Sequence, residues 1–414
     1  MRRNRGFNLL WFGEGVSVLG NSMTTILLPL LAVTTFHAGA AWMGVLTAAA
    51  WLPWLVVGLP AGAWVDRMAP RTVMIASDLA AAVALVSVPV AWALGVLTLG
   101  HLVVAALAGG VCTVFLRTAY TKLVPAVVPE GQLLAANARL IGTESAMQIA
   151  GPGLGGLIAQ AVSVVGGLLV DVASFLVSAW SLWRIRLAPA AAPAEQTASL
   201  GTRIREGLRF VAGDRILRYF TVLGGLSNFG LTGYTALLVL LLVREGELSP
   251  GAVGMVMALG SVGGLIGATI ATRVSRALGS ARAIIWLQLL AGPPALLVAT
   301  IRPGLGVAPV VLGILLVGTG VVAGNVIRGA WRQQYVPAGL MGRVLTAVQV
   351  VNFGTMPLAG VAAGVLGTAL GVRGAVALMA GVHAVACLLI FWSPVRHLRD
   401  LPARPAPARA LQDA

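Results

Sequence analysis

Charge is what this chain has least of. Asp, Glu, Lys and Arg together make up 10% of 414 residues, and lysine is reduced to a single copy, Lys122. An ordinary soluble domain is about one-quarter charged. With 58% hydrophobic residues and a mean hydropathy of +0.93, this chain cannot build a water-facing shell over its apolar surface. Cysteine is nearly missing too. Cys112 and Cys387 lie in different apolar runs, so no disulfide framework is implied. No GxxxxGK[ST] loop is present, which excludes nucleotide hydrolysis of the P-loop kind. There is no HExxH and no Cys/His cluster; His37, His101, His383 and His397 are scattered, so no metal site or cofactor is indicated. A Gly-x-Ser-x-Gly elbow is also absent. No catalytic cluster remains, and an enzyme is not expected.

Long apolar runs are what the chain does have. They fall at roughly 8–34, 42–64, 72–94, 101–121, 135–160 and 165–187, then 217–243, 251–272, 282–301, 307–330, 343–368 and 373–394. Each approaches or exceeds the ~20 residues that cross a hydrocarbon core. The spacing predicts an all-α polytopic membrane protein with twelve transmembrane helices in two sets of six. The first run continues to about Thr35, too long for the apolar part of a cleavable signal.

The net charge of +15 raises nucleic acid as a partner, but the basic residues sit in short groups between apolar runs and give no basic face. They read as topology signals. Arg2, Arg3, Arg5, Arg67, Arg71, Lys122, Arg184, Arg186, Arg273, Arg276, Arg282, Arg332, Arg343 and the tail arginines all fall on one side; the other side has Arg244, Arg302 and Arg373. The positive-inside rule then places both termini in the cytoplasm.

Four segments follow: an N-terminal half (1–187), a cytoplasmic linker (188–216), a C-terminal half (217–394) and a tail (395–414). The linker opens with Pro/Ala-rich sequence. It then puts Ile204, Leu208 and Val211 on one helical face, opposite Arg205, Glu206 and Arg209, as in a short amphipathic helix on the inner leaflet. The Pro/Ala/Arg-rich tail reads as disordered.

The halves echo each other. VFLRTAYTKLVP (Val114–Pro125) aligns with NVIRGAWRQQYVP (Asn325–Pro337), which pairs Arg117 with Arg328. Gly58 to Arg67 aligns with Gly264 to Arg273, and Thr272 stands where the first copy has Asp66. Two repeated six-helix halves suggest a transporter with its site between them.

The hinge between spans two and three, Gly62-x-x-x-Asp66-Arg67-x-x-x-Arg71, resembles the loop signature of the major facilitator superfamily, and the resemblance runs from Phe7 to Pro394. LWFGEGVSVLGNSM, LLAANARLIGTESAMQIAGPGLGG, DVASFLVSA and VPAGLMGRV are most similar to a bacterial efflux branch that includes siderophore and macrolide exporters. The arginine-plus-glycine pattern that drug–proton antiporters show on span four is present only around Arg117. The resemblance implies a monomeric, multi-pass protein of the bacterial cytoplasmic membrane. It would export a drug, siderophore or secondary metabolite, with protons expected as coupling ion. A facilitator or importer of a small metabolite is the alternative, and a non-transporting membrane scaffold a more distant one. The resemblance also implies a switch loop of Gly62, Asp66, Arg67, Arg71 and Arg343, with Asp66 reaching the start of span eleven near Gly342 and Arg343. The resemblance further implies that small-residue pairs at Gly58/Gly62, Gly151/Gly155, Gly263/Gly267 and Gly360/Gly364 lie where the halves face each other, with ordinary helix packing as the alternative.

Charges inside spans cost on the order of 3 kcal/mol each at the bilayer centre and usually face a cavity or a partner. They nominate Glu14 on span one, Arg117 on span four, Arg139 and Glu144 on span five, Asp171 on span six and Arg328 on span ten. Glu14, Arg117 and Glu144 share a depth and are expected as one ion-paired group. Glu14 is the expected proton carrier with Arg117 as its partner. Glu144 is expected on Arg139 of its own helix, and Asp171 on a helix that the resemblance turns toward lipid.

Overall fold

The computed structural model describes residues 4–185 and 200–404, so the Pro/Ala part of the linker lies outside the described residues. Every described element is helical. The N-terminal half comprises α1 (Arg5–Thr35), α2 (Ala40–Val56), α3 (Gly58–Asp66), α4 (Pro70–Ala93), α5 (Leu99–Val127), α6 (Leu133–Ala161) and α7 (Val164–Trp183). After α8 (Leu200–Gly213) come α9 (Arg215–Arg244), α10 (Pro250–Leu278), α11 (Ser280–Ala291), α12 (Val307–Tyr335) and α13 (Ala338–Leu388).

Local sequence sets the ends. Asn4 caps α1 by accepting the Phe7 N–H at 3.0 Å, and Asp214 caps α9 by accepting those of Ile216 and Leu217 at 3.0 and 2.8 Å. Pro70 starts α4 at a position that needs no donor. The sequence predicts one span over 42–64, but the helix breaks between α2 and α3. Pro60 cannot donate to the carbonyl of Val56 and its ring crowds it. Conversely, spans eleven and twelve run on as α13, which turns at Gly371 with φ 76°, a left-handed value that suits glycine.

Among the described residues nine helices are long and apolar enough to cross a membrane, ten if the bent α2–α3 pair is one span. That tally is consistent with the predicted twelve. It takes α13 as one, and it omits α6, whose Arg139, Glu144 and Gln148 dilute a 29-residue helix.

Within the N-terminal half α1 packs on α6 and α7, and α4 on α5 and α7; within the C-terminal half α9 packs on α13, and α10 on α12. The halves meet chiefly where α2 lies on α13 and α6 on α10. At both seams backbones touch through glycine. A Cβ on Gly44 would strike the backbone of Gly360 and Gly364, and one on Gly156 that of Gly254. Gly360/Gly364 thus sits where the sequence predicts. Gly151/Gly155 instead packs on α1 and Gly263/Gly267 on α12, each inside its own half. Their small side chains serve helix pairing within a bundle.

These seams lie toward the face opposite the arginine-rich one. There Arg244 donates to the carbonyls of His37 and Ala38 at 2.7 and 3.1 Å, and Gln160 accepts the Gly251 N–H at 3.0 Å, each tying one half to the other. On the basic face the halves part: a Cβ on Gly58, Gly62, Gly339 or Gly342 would meet nothing within 4 Å.

On the basic face the linker helix and the tail both find protein partners. Helix α8 packs on α13, with Gly207 against the Arg343 backbone and Val211 buried, while Leu208 of the expected apolar face stays exposed. The described part of the tail, residues 395–404, docks on the C-terminal half, contrary to the disordered expectation. The Ser280 N–H donates to the Asp400 carboxylate at 2.8 Å, Trp331 donates to the Pro402 carbonyl at 2.9 Å, and Val395 and Leu401 are buried. Residues 405–414 lie outside the described residues.

Candidate functional site

Between the halves lies a cavity of about 830 Å³. Trp51 and Trp54 of α2 form part of its wall, held by Phe353 of α13 at centroid distances of 6.0 and 5.3 Å. Tyr234, Phe175 and several leucines, valines and methionines add apolar surface; Asn21, Thr24, Gln148 and Ser261 supply neutral polar groups. No lysine, arginine or histidine is among the described lining residues, and Asp171 is the single charged one. Such a volume, mostly apolar with a few placed polar groups, suits a drug-sized ligand.

The structure turns Asp171 inward, contrary to the lipid-facing expectation. Its carboxylate accepts from Thr24 Oγ1 at 2.5 Å and from Ser174 Oγ at 2.9 Å. Gly20 of α1 provides the space, since a Cβ there would collide with both Asp171 and Ser174. Asp171 stands behind Thr24 and has no exposed surface of its own.

A small side cavity of about 30 Å³ adjoins the large one and shares Asn21, Ala81, Thr113 and Phe175 with it. Glu14, Ser77, Cys112 and Arg117 line it. The expected group of Glu14, Arg117 and Glu144 does assemble, with a different direct pair. Arg117 binds Glu144 at 2.5 Å, while Glu14 interacts with Arg117 electrostatically and its Oε2 has no hydrogen-bond partner among the described residues. Arg139 is not on Glu144. Its guanidinium lies over the Trp11 ring, 3.8 Å from the centroid, so a π face replaces the carboxylate. Trp11 in turn donates to Thr143 at 2.7 Å, which fixes the ring. Arg328 donates to Asn325 Oδ1 at 2.8 Å and forms no ion pair among the described residues.

The hinge residues take partners within reach of this conformation. Asp66 pairs with Lys122 and does not meet Arg343, which binds Glu206 of α8 at 2.7 Å. Arg71 donates to the carbonyls of Leu182 and Trp183, tying the start of α4 to the end of α7. Arg67 is exposed and Gly62 faces open space. With the halves apart on this face, Asp66 stays with its own half.

Asp78 is missing from the sequence-derived set. It sits inside the apolar run RTVMIASDLAAAVALV, has no exposed surface, and neither carboxylate oxygen finds a hydrogen bond among the described residues. The rule that nominates Glu14 and Asp171 nominates it equally.

The family model described as Major Facilitator Superfamily matches residues 10–360. The multidrug efflux pump Tap of Mycolicibacterium fortuitum is 28% identical over 412 residues, covering 96% of this chain and 98% of that protein. An uncharacterized MFS-type transporter of Bacillus subtilis, YfiS, is 27% identical and covers 84% of this chain and 83% of its own length. Among solved structures, the nucleoside transporter NupG (D323A mutant) superposes with a TM-score of 0.77 at 11% identity, covering 93% of this chain and 99% of that one. A bacterial homologue of the iron transporter ferroportin, in an inward-facing state, gives 0.74 at 16% identity, covering 94% and 98%.

Proposed function

This chain belongs to the major facilitator superfamily of membrane transporters, and on that footing we propose that it exports a small organic molecule in exchange for protons by alternating access. The observation that carries the reading is the 830 Å³ cavity, closed by glycine seams toward one face and flanked by parted helices on the other. We take the parted, arginine-rich face as cytoplasmic, in the cytoplasmic membrane of a bacterium, with both termini inside and the protein working as a monomer. Substrate then enters from within. Likeness to a multidrug efflux pump supports outward transport.

The lining narrows the substrate. A cavity with neutral polar groups, indole surfaces and one sheltered carboxylate suits a neutral or cationic ring-bearing molecule. It does not suit an anionic siderophore, which would lack any cationic partner among the described lining residues. Glu14 is the proton carrier in this reading. A desolvated carboxyl keeps its proton, and an approaching guanidinium displaces it. Arg117 held by Glu144 leaves Glu14 free to load; as the halves rock, Arg117 shifts toward Glu14 and unloads it. Arginine suits this role because it stays charged when partly desolvated.

Flux of labelled drug-like compounds into inverted membrane vesicles, with and without an imposed pH gradient, tests the proposal. Gradient-dependent uptake of neutral or cationic compounds is expected. Uptake that ignores the gradient would refute proton coupling, and a preference for anions would refute the substrate class.

A further inference from the structure

Four buried side-chain oxygens without a hydrogen-bond partner among the described residues gather where α1, α4 and α7 meet. They are Glu14 Oε2, both carboxylate oxygens of Asp78, and Ser181 Oγ. Glu14 is 8% exposed; Asp78 and Ser181 are 0% exposed. Ser178 and Ser181 of α7 pack on Gly13, the residue before Glu14. Ser77, the residue before Asp78, lines the same small cavity as Glu14. Buried polar groups are normally satisfied, so a layer of unsatisfied ones marks a working site more often than a packing accident.

The surroundings of Asp78 are uniformly without cations. Facing it are Glu14 from α1, the Cys112 thiol from α5, and Asp171 with the Ser178 hydroxyl from α7. Arg117, the cation of this layer, answers to Glu144 and Glu14. An ionised Asp78 would therefore be a buried charge without a counter-ion, faced by the Ser178 hydroxyl and by two further carboxyls. Asparagine would fill the same volume without that cost, so a carboxyl placed here has a use for its ionisable oxygen.

We propose that Asp78 is a second proton-carrying carboxyl of this transporter, acting with Glu14 in the α1/α4/α7 layer and apart from the substrate cavity. The inference rests on the proton-coupled reading above and deepens it. The step is a proton transfer alone. An Asp78 oxygen forms an O–H bond with a proton delivered by hydronium or by the Glu14 carboxyl, and breaks that bond on release; no electrons change hands. A metal cation is disfavoured because the adjoining 30 Å³ space is also lined by the Arg117 guanidinium, whose fixed charge would repel it.

Infrared difference spectroscopy of the full-length protein in lipid nanodiscs, without substrate, between acidic and alkaline buffer, tests this. Protonated carboxyl groups give a carbonyl band that ionised ones lack. The expected result is the loss of one band in Asp78→Asn, the loss of a different one in Glu14→Gln, and the loss of both in the double variant. Isotope-labelled aspartate in an Asp171→Asn background should shift the Asp78 band, which keeps the test independent of how Asp78→Asn folds. An unchanged set of bands in Asp78→Asn, or no shift with labelled aspartate, overturns the proposal. So does a band that vanishes when sodium is raised at fixed pH, since that would make the site one for a metal cation. Proton-driven export in wild type without an Asp78 band would sink this inference and leave the exporter reading standing. The band without proton-driven export would refute the proton-coupled reading and, with it, the carrying role of Asp78.

Discussion

The two halves share a scaffold and differ in chemistry. Within its spans the N-terminal half carries Glu14, Asp78, Glu144 and Asp171, whereas the C-terminal half has no acidic residue between Leu248 and Pro394 and none in α9. Where Gly20 of α1 fits against Asp171 and Ser174, Gly230 of α9 fits against Met379 and His383. Arg117 meets a carboxylate, and its repeat mate Arg328 meets an amide. In the proposed mechanism the two bundles rock against each other. The contrast teaches that a repeated scaffold can keep its acidic groups in one copy, which is where the proposed ion handling would lie.

The largest expected effect comes from breaking that concentration. Glu14→Gln should reduce uphill, gradient-driven efflux to background while sparing downhill exchange, measured in the same vesicles. Wild-type pumping by this variant would remove Glu14 from the mechanism.

Next comes the pair of matched arginines. Arg117→Gln strands Glu144, and at about one-third exposure this should cost about 2 kcal/mol of stability. Arg328→Gln leaves no acid behind and should stay within about 1 kcal/mol of wild type. Denaturation midpoints of the purified variants decide it, and equal losses would erase the difference between the halves.

A smaller effect concerns the seams. Gly44→Leu forces a side chain against the Gly360 and Gly364 backbones, an overpacking cost of roughly 1–3 kcal/mol carried by one conformation only. A cysteine placed at Thr47, in the cavity wall, should then label faster with an impermeant reagent from the extracytoplasmic side. Gly62→Leu, facing open space, should leave that rate unchanged in this conformation.

Much of this was legible in the sequence because membranes impose few solutions. Apolar length gave the helical membrane class and most of the spans, and the Gly62–Arg71 hinge with the repeat gave the family. Pairings were not legible. Glu144 lies five residues after Arg139 on its own helix, and only tertiary packing decides that Arg139 goes to Trp11 and Glu144 to Arg117. The facing of Asp171 depends on the groove at Gly20, which no pattern within α7 encodes. The docked tail was hidden for another reason: Pro/Ala/Arg-rich composition looks disordered, yet Asp400, Pro402 and Leu401 find partners on Ser280 and Trp331. Asp78 was legible, since a charge in an apolar run is visible without a structure.

The central claim is that substrate export is coupled to proton release from the N-terminal carboxyls. Proton release on substrate binding tests it most directly, using weakly buffered purified protein, a pH-sensitive dye and a compound identified by the vesicle flux. Wild type and Arg328→Gln should release protons when the compound is added, and Glu14→Gln should release fewer or none. Equal release from Glu14→Gln and wild type would contradict the account.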